Sequence, residues 1–93
     1  MNASHKGRRA EWRARRLLEA SGFTVTRAAG SKGVADLIAW DSVGLRLISV
    51  KSGQARASRA ERAALSSCPA PAGTSKEVWT FRDRCAVPTI EQV

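Results

Sequence analysis

Histidine occurs once and cysteine twice in this chain of 93 residues. A zinc site needs about four nitrogen or sulfur ligands at suitable spacing. His5, Cys68 and Cys85 cannot supply one, because no C-x-x-C occurs and sixteen residues separate the two cysteines. Both cysteines are expected as free, partly buried thiols. No apolar run approaches the roughly 18 residues that a membrane-crossing helix requires. The N-terminus carries charge but no apolar stretch behind it and no cleavage site, so no secretory signal is expected and the reading is cytoplasmic. Repeats and low-complexity blocks are also missing.

Acidic residues are scarce as well. Eight Asp and Glu stand against sixteen Lys and Arg, a formal net charge of +8, and the isoelectric point is near 11.1. Twelve of the sixteen cations are arginine. Guanidinium forks bind phosphate in a bidentate manner, so an arginine-weighted excess suits a polyanionic partner such as nucleic acid. The alternative explanation of the charge is a generic solvated basic surface, or a codon bias toward Arg and Ala. At 43% hydrophobic the chain is too apolar for a disordered tail. Its length is that of one small domain, of a size that buries only roughly 60–65% of its unfolded surface.

After an irregular start over residues 1–6, the stretch Gly7 to Ser21 reads as a helix. Ala10, Ala14, Leu17, Leu18 and Ser21 share one face, with arginines around it. Gly22 is placed to end it in a left-handed cap. Phe23 to Ala28 is rich in β-branched residues and predicts a strand, and Ala29 to Gly33 a turn or loop. Val34 to Trp40 is a nearly continuous apolar run, short enough for a buried strand. Asp41 to Gly44 predicts a hairpin turn and Leu45 to Lys51 the returning strand. Its alternation puts Leu45, Leu47, Ser49 and Lys51 on one side and Arg46, Ile48 and Val50 on the other. Ser58-Arg59-Ala60-Glu61 has the form of a capping box and marks a second helix, which Pro69 and Pro71 end. Residues 69–75 predict a linker, Glu77 to Phe81 a last strand, and the remainder an irregular tail. The predicted order α-β-β-β-α-β implies an α/β fold, a central mixed sheet flanked by helices.

Two charges sit where core is expected. Asp36 interrupts the apolar run, and a lone ionised carboxylate there needs a cation, hydrogen bonds or a metal. A hairpin turning at Asp41–Gly44 pairs residues whose numbers sum to about 85 or 86. That sets Asp36 opposite Ser49 or Val50, one step from Lys51. The pair is a structural salt bridge or the centre of a site. Glu11 on the first helix is an ion-pair partner for Arg8 or Arg15, or a third member of that site.

Glu11, Gly33-Val34-Ala35-Asp36 and Leu47-Ile48-Ser49-Val50-Lys51-Ser52-Gly53 together resemble the PD-(D/E)xK nuclease superfamily, and within it the small archaeal- and phage-type Holliday junction resolvases. The resemblance runs from about Gly7 to Phe81. It implies a minimal restriction-endonuclease-like fold and a Mg²⁺- or Mn²⁺-dependent DNA endonuclease, structure-specific and homodimeric, acting in recombination on branched or duplex DNA. It implies that Asp36 binds one or two metal ions, with Glu11 supporting directly or through water and the Val50 carbonyl as a further ligand. Lys51 would orient the attacking water or stabilise developing charge on phosphorus. Hard oxygen ligands suit Mg²⁺, and a metal with a lysine offsets charge on a scissile phosphate.

The sequence departs from that pattern at Ala35, where the family has proline, and at Ser49, where it has Glu or Asp. Ser49 takes a formal negative charge out of the catalytic set. Some restriction enzymes of this superfamily carry S-x-K and draw the missing carboxylate from the following helix. Glu61 is then the candidate, with the capping box as its competing role; Asp41 is a turn residue. A catalytically weak or inactive DNA-binding module and a restriction or nicking nuclease therefore stay open as alternatives. Arg8, Arg9, Arg13, Arg16, Lys32, Arg56, Arg59 and Arg62 are the expected phosphate contacts, or a solvated basic face. Trp12, Trp40 and Trp79 fit core or a dimer interface better than base stacking, because no RNA-binding aromatic motif surrounds them.

With no base-reading element in view, DNA affinity is expected to fall steeply between about 50 and 200 mM salt and to vary little with base sequence. Titrations of unrelated duplexes at both salt concentrations check this. Equal affinity at the two would count against a phosphate-dominated interface.

Overall fold

The computed structural model describes residues 3–28 and 34–93, with side chains from residue 8 onward. The turn predicted over 29–33, including Lys32, lies outside the described residues. Helix α1 (Ala3–Ala20) begins earlier than predicted, and the expected irregular start is helical backbone from Ala3. Strands β1 (Thr24–Arg27), β2 (Leu37–Trp40) and β3 (Leu45–Ser52) follow. Helix α2 (Arg59–Ser67), β4 (Ser75–Phe81) and β5 (Thr89–Gln92) complete the chain. The predicted order holds, and the tail read as irregular adds the fifth strand.

The strands form one sheet in the order β1-β2-β3-β4-β5. Neighbours are antiparallel except β3 and β4, which run parallel because α2 carries the chain back between them. Leu37 pairs with Ile48 and Trp40 with Leu45, so the hairpin register is the predicted 85. Asp41 builds the turn by accepting the amides of Val43 and Gly44 on Oδ1, both at 2.9 Å. Those bonds, Gly44's first, hold its carboxyl below the ordinary range.

Side-chain alternation divides the core between the two faces of the sheet. Ala10, Ala14 and Leu18 of α1 pack on Leu37, Ala39, Ile48, Trp79 and Phe81. Leu65 of α2 packs on Leu47 and Val78, with Ile38, Ala57 and Cys68 against them. The α1 stripe is narrower than predicted: Leu17 is 40% exposed and Ser21 is exposed. The helix ends as expected. Gly22 takes φ +95, its amide reaches Glu19 O, and the Phe23 amide reaches Leu18 O. This is a Schellman cap, which needs a residue that accepts positive φ. Cys68 precedes Pro69 with extended backbone, φ −60 and ψ 127, and so stops α2. Cys85 is exposed rather than partly buried. Of the tryptophans, Trp79 is core, whereas Trp12 and Trp40 are 58% and 39% exposed.

The most buried charge is one that sequence reasoning passed over. Glu77 in β4 is 2% exposed. Arg46 of β3 grips it with two bonds, Nε to Oε2 at 2.8 Å and Nη2 to Oε1 at 2.7 Å. Trp79 Nε1 and Ser75 Oγ donate to it as well, at 2.8 and 2.6 Å. The Arg46 guanidinium lies over the rings of Phe23 and Trp79, 5.0 and 5.6 Å from their centroids. Burial raises the Glu77 carboxyl, but the bonds from Arg46, Ser75 and Trp79 outweigh it and hold the group below its ordinary value. Removing one partner of such a pair costs about 3 kcal/mol or more, because the other is left without a counter-charge.

A depressed carboxyl contributes stability that is fully present above its unfolded value of 4.5 and is lost as pH falls through the lower folded value. Glu77→Gln is therefore expected to melt well below the parent at pH 7 and to show a flatter decline in Tm as the pH is lowered below that point. Melting curves from pH 7 to pH 3 test this; parallel declines in the two proteins would remove Glu77 from the account.

Candidate active site

Asp36 lies where the β2–β3 ladder ends. Its amide donates to Ile48 O at 2.8 Å and its carbonyl accepts from Ala28 N at 2.9 Å, so its backbone is tied to both neighbouring strands. The bond to Ile48 is one residue out of the register that holds from Leu37 to Trp40. Past that slip the side chain takes over: Oδ2 accepts the Val50 amide at 2.6 Å. Asp36 thus grips β3 at residues 48 and 50 and straddles Ser49. A strand residue's N–H and C=O face the same neighbour, so the Val50 carbonyl lies on the Asp36 edge of β3 too.

Ser49 and Lys51 alternate with Val50 and share the face that carries α2. Here α2 contributes Glu61. Its Oε2 accepts from Lys51 Nζ at 2.9 Å, while its Oε1 accepts the Ser58 amide at 2.7 Å. The Ser58 hydroxyl in turn accepts the Glu61 amide at 3.0 Å, which completes the capping box. Of the two roles that the sequence posed for Glu61, the structure shows the cap, and the second carboxylate oxygen holds Lys51. The Lys51 bond, then the Ser58 bond, hold the Glu61 carboxyl below its ordinary value. The carboxylate is half exposed, so the ion pair itself adds little to stability.

Glu11 is held by Arg27 of β1. It takes the Arg27 Nε at 2.9 Å on the α1 side of the sheet, a partner that neither of its expected ion pairs with Arg8 or Arg15 anticipated. Arg15 pairs with Glu19 instead. Among the described residues no group of three His, Cys, Asp or Glu side chains converges to hold a metal ion. The Asp36 carboxylate and the Val50 carbonyl, on the same edge of β3, are hard oxygens of the kind Mg²⁺ takes. One or two carboxylates with water and substrate oxygens complete such a shell. To that extent the residues fit the ion.

Of the basic residues singled out, Arg8, Arg9, Arg16, Arg56 and Arg59 are exposed. Arg16 lies over the Trp12 ring, Arg62 pairs with Glu91 at 2.8 Å, and Arg13 donates to Cys85 O at 2.7 Å. Arg82, not singled out, donates to Gly53 O at 2.7 Å and braces the loop that follows Lys51. The signal for it was the basic cluster after the last predicted strand, which the sequence reading left in the tail.

No protein-family model matches this sequence, and none of the curated proteins does. Among solved structures the chain is similar to Hjc, a Holliday junction resolvase from the archaeal hyperthermophile Archaeoglobus fulgidus, with a TM-score of 0.78. The match covers 94% of this chain and 72% of that one. This chain has the fold of that resolvase. At 23% identity the likeness is one of fold, and it agrees with the mixed sheet and two helices described above. No helix among the described residues is long and apolar enough to cross a membrane.

Glu61 separates its two roles by substitution. Glutamine also serves in a capping box, so Glu61→Gln is expected to change unfolding stability by less than about 0.5 kcal/mol. Glu61→Ala and Ser58→Ala, which break the box, each cost about 1 kcal/mol. Urea unfolding of the three variants reads this directly. A large loss in Glu61→Gln would show that the charge at Lys51, and not the cap, is what the fold needs.

Proposed function

We propose that this protein is a metal-dependent DNA endonuclease that cuts branched DNA in the manner of a Holliday junction resolvase, acting as a homodimer in recombination. The observation that carries the reading is the bond of Asp36 to the Val50 amide, next in β3 to Lys51, in a chain with the fold of a resolvase. The dimer follows from the chemistry, because two symmetric cuts in a junction need two sites.

In this reading Asp36 and the Val50 carbonyl hold Mg²⁺ or Mn²⁺, with Glu11 assisting through water. The bound ion would polarise the scissile phosphate and lower the pKa of a coordinated water. Lys51 contributes a compact positive charge with three donors, suited to orienting a water or to stabilising charge on a phosphoryl oxygen. Glu61 fixes the Lys51 ammonium until phosphate competes for it. The valine amide on Asp36 Oδ2 fixes the carboxylate's direction. Arg8, Arg9, Arg13 and Arg16 of α1 and Arg56, Arg59 and Arg62 around α2, with Lys32, follow the DNA backbone without reading bases.

One observation favours a second reading. With serine at position 49 and Glu11 engaged by Arg27, the described residues present no three-carboxylate group. A scaffold of this kind with its chemistry disabled would bind DNA and leave it intact. A restriction or nicking nuclease of the same superfamily shares the fold and is separated by substrate alone.

Cleavage assays on four-way junction, duplex and single-stranded DNA with Mg²⁺ or Mn²⁺ decide among these. Asp36→Ala and Lys51→Ala are each expected to lower cleavage by at least about 100-fold and to leave most DNA binding. Asp36→Asn binds DNA as well as the parent or better, since it removes repulsion from phosphate. Ser49→Glu tightens metal binding, and Mn²⁺ supports more activity than Mg²⁺. A parent protein inert on every form of DNA, with both alanine variants melting far lower, would make Asp36 and Lys51 structural and sink the nuclease reading.

A further inference from the structure

Four arginines converge where α1 passes the ends of β3 and β4. Arg9 and Arg13 come from α1, and Arg82 and Arg84 from the turn after β4. With Ser52 and Phe81 they line a cleft of about 240 Å³. Asp83 lines it too, so among the described residues four arginines and one carboxylate border the cleft. Two of the four build the walls. Arg13 donates to Cys85 O at 2.7 Å and lies over the Phe81 ring, 4.7 Å from its centroid. Arg82 donates to Gly53 O at 2.7 Å. Helix, strand ends and turn are thereby tied together, while Arg9 and Arg84 are exposed at the mouth.

Arg84 has φ +66, the one non-glycine residue with positive φ among those described. Glycine or asparagine takes that backbone with least strain. Arg84 is exposed there, so core packing does not account for an arginine in this turn. What an arginine supplies and glycine cannot is a charged fork aimed at a ligand.

We infer that this cleft holds a backbone phosphate of bound DNA, with Arg9 and Arg84 as its ligands. The inference rests on the DNA reading above and extends it to a defined place. Ser52 follows Lys51 in β3, so the cleft opens at the same end of the strand as Asp36 and Lys51, but on the α1 face rather than the α2 face. A strand of DNA crossing the end of β3 lays one phosphate in the cleft and brings a nearby one to Lys51. The cleft therefore sets the path of the substrate over the sheet.

The test uses Arg84→Gly, which removes the guanidinium and relaxes the backbone together, with Arg84→Asn as a second variant that also tolerates positive φ. Arg15→Gln is the charge-matched control: it lies on the other flank of α1, in a different depression. Binding of a fluorescein-labelled four-way junction and of duplex DNA is measured without metal over a range of salt. Arg84→Gly is expected to bind roughly three- to tenfold more weakly at about 0.1 M salt, with the slope of log affinity against log salt reduced by about one. Its Tm is expected to equal or exceed the parent's, and Arg15→Gln to bind nearly as the parent does. Parent-like affinity in both Arg84 variants, or an equal loss in Arg15→Gln, overturns the cleft and leaves the nuclease reading standing. A parent that binds neither DNA overturns both.

Discussion

Each residue of β3 sends its side chain to the face opposite its neighbours', and β3 is paired on both edges and covered on both faces. That one alternation decides what can meet in this protein. Ile48 and Val50 are committed to α1, Leu47 to α2, and everything polar on the strand must follow the same parity. Arg46 is thereby delivered to Glu77 and Trp79, two residues of β4 on the same face, and Lys51 is delivered to Glu61 of α2. A slip of one residue in the hairpin would exchange the two sets and leave Arg46 and Lys51 on faces without partners. The register is fixed on one side by the tight turn at Asp41 and on the other by the grip of Asp36 at residues 48 and 50.

The two charged pairs along β3 differ in kind. Glu77 is withdrawn from water, and every bond available to its carboxylate is filled, by two nitrogens of the half-buried Arg46, an indole and a hydroxyl. Such an arrangement is costly to open and suits a fixed structural element. Lys51 and Glu61 are joined by a single bond at a partly exposed position, and so exchange with a competing anion at little expense.

How much of this was legible in the sequence depends on the range of the interaction concerned. The hairpin register, the Gly22 cap, the Ser58 capping box and the stop at Pro69 follow from local chemistry, and each stands where the sequence put it. So does the mixed sheet, since the alternation of helix and strand leaves few other arrangements. The fifth strand was hidden because Thr89 to Gln92 is exposed throughout and carries no apolar periodicity; only pairing with β4 makes it a strand. Glu77 was missed for a related reason. At the start of a short apolar segment it reads as a boundary residue, and only the parallel pairing that sets Ile48 beside it shows it to be interior. For Glu61 the sequence posed cap against metal ligand; the cap is there, and the bond to Lys51 from the other oxygen depended on a strand ten residues away. Glu11 depended on a partner, Arg27, sixteen residues away in another element.

The double engagement of Glu61 has a kinetic side. Helix α2 has nine residues and buries only Leu65, so its first turn is among the segments least held by packing, and short helices fray from their ends. Ser58, Glu61 and Lys51 form one chain of hydrogen bonds across that turn. When the turn opens, the amide of Ser58, the hydroxyl of Ser58 and the ammonium of Lys51 lose their partner in the same event. Opening of the helix end, on the nanosecond-to-microsecond scale, is then a second route by which Lys51 is freed, beside the faster rotation of its own side chain.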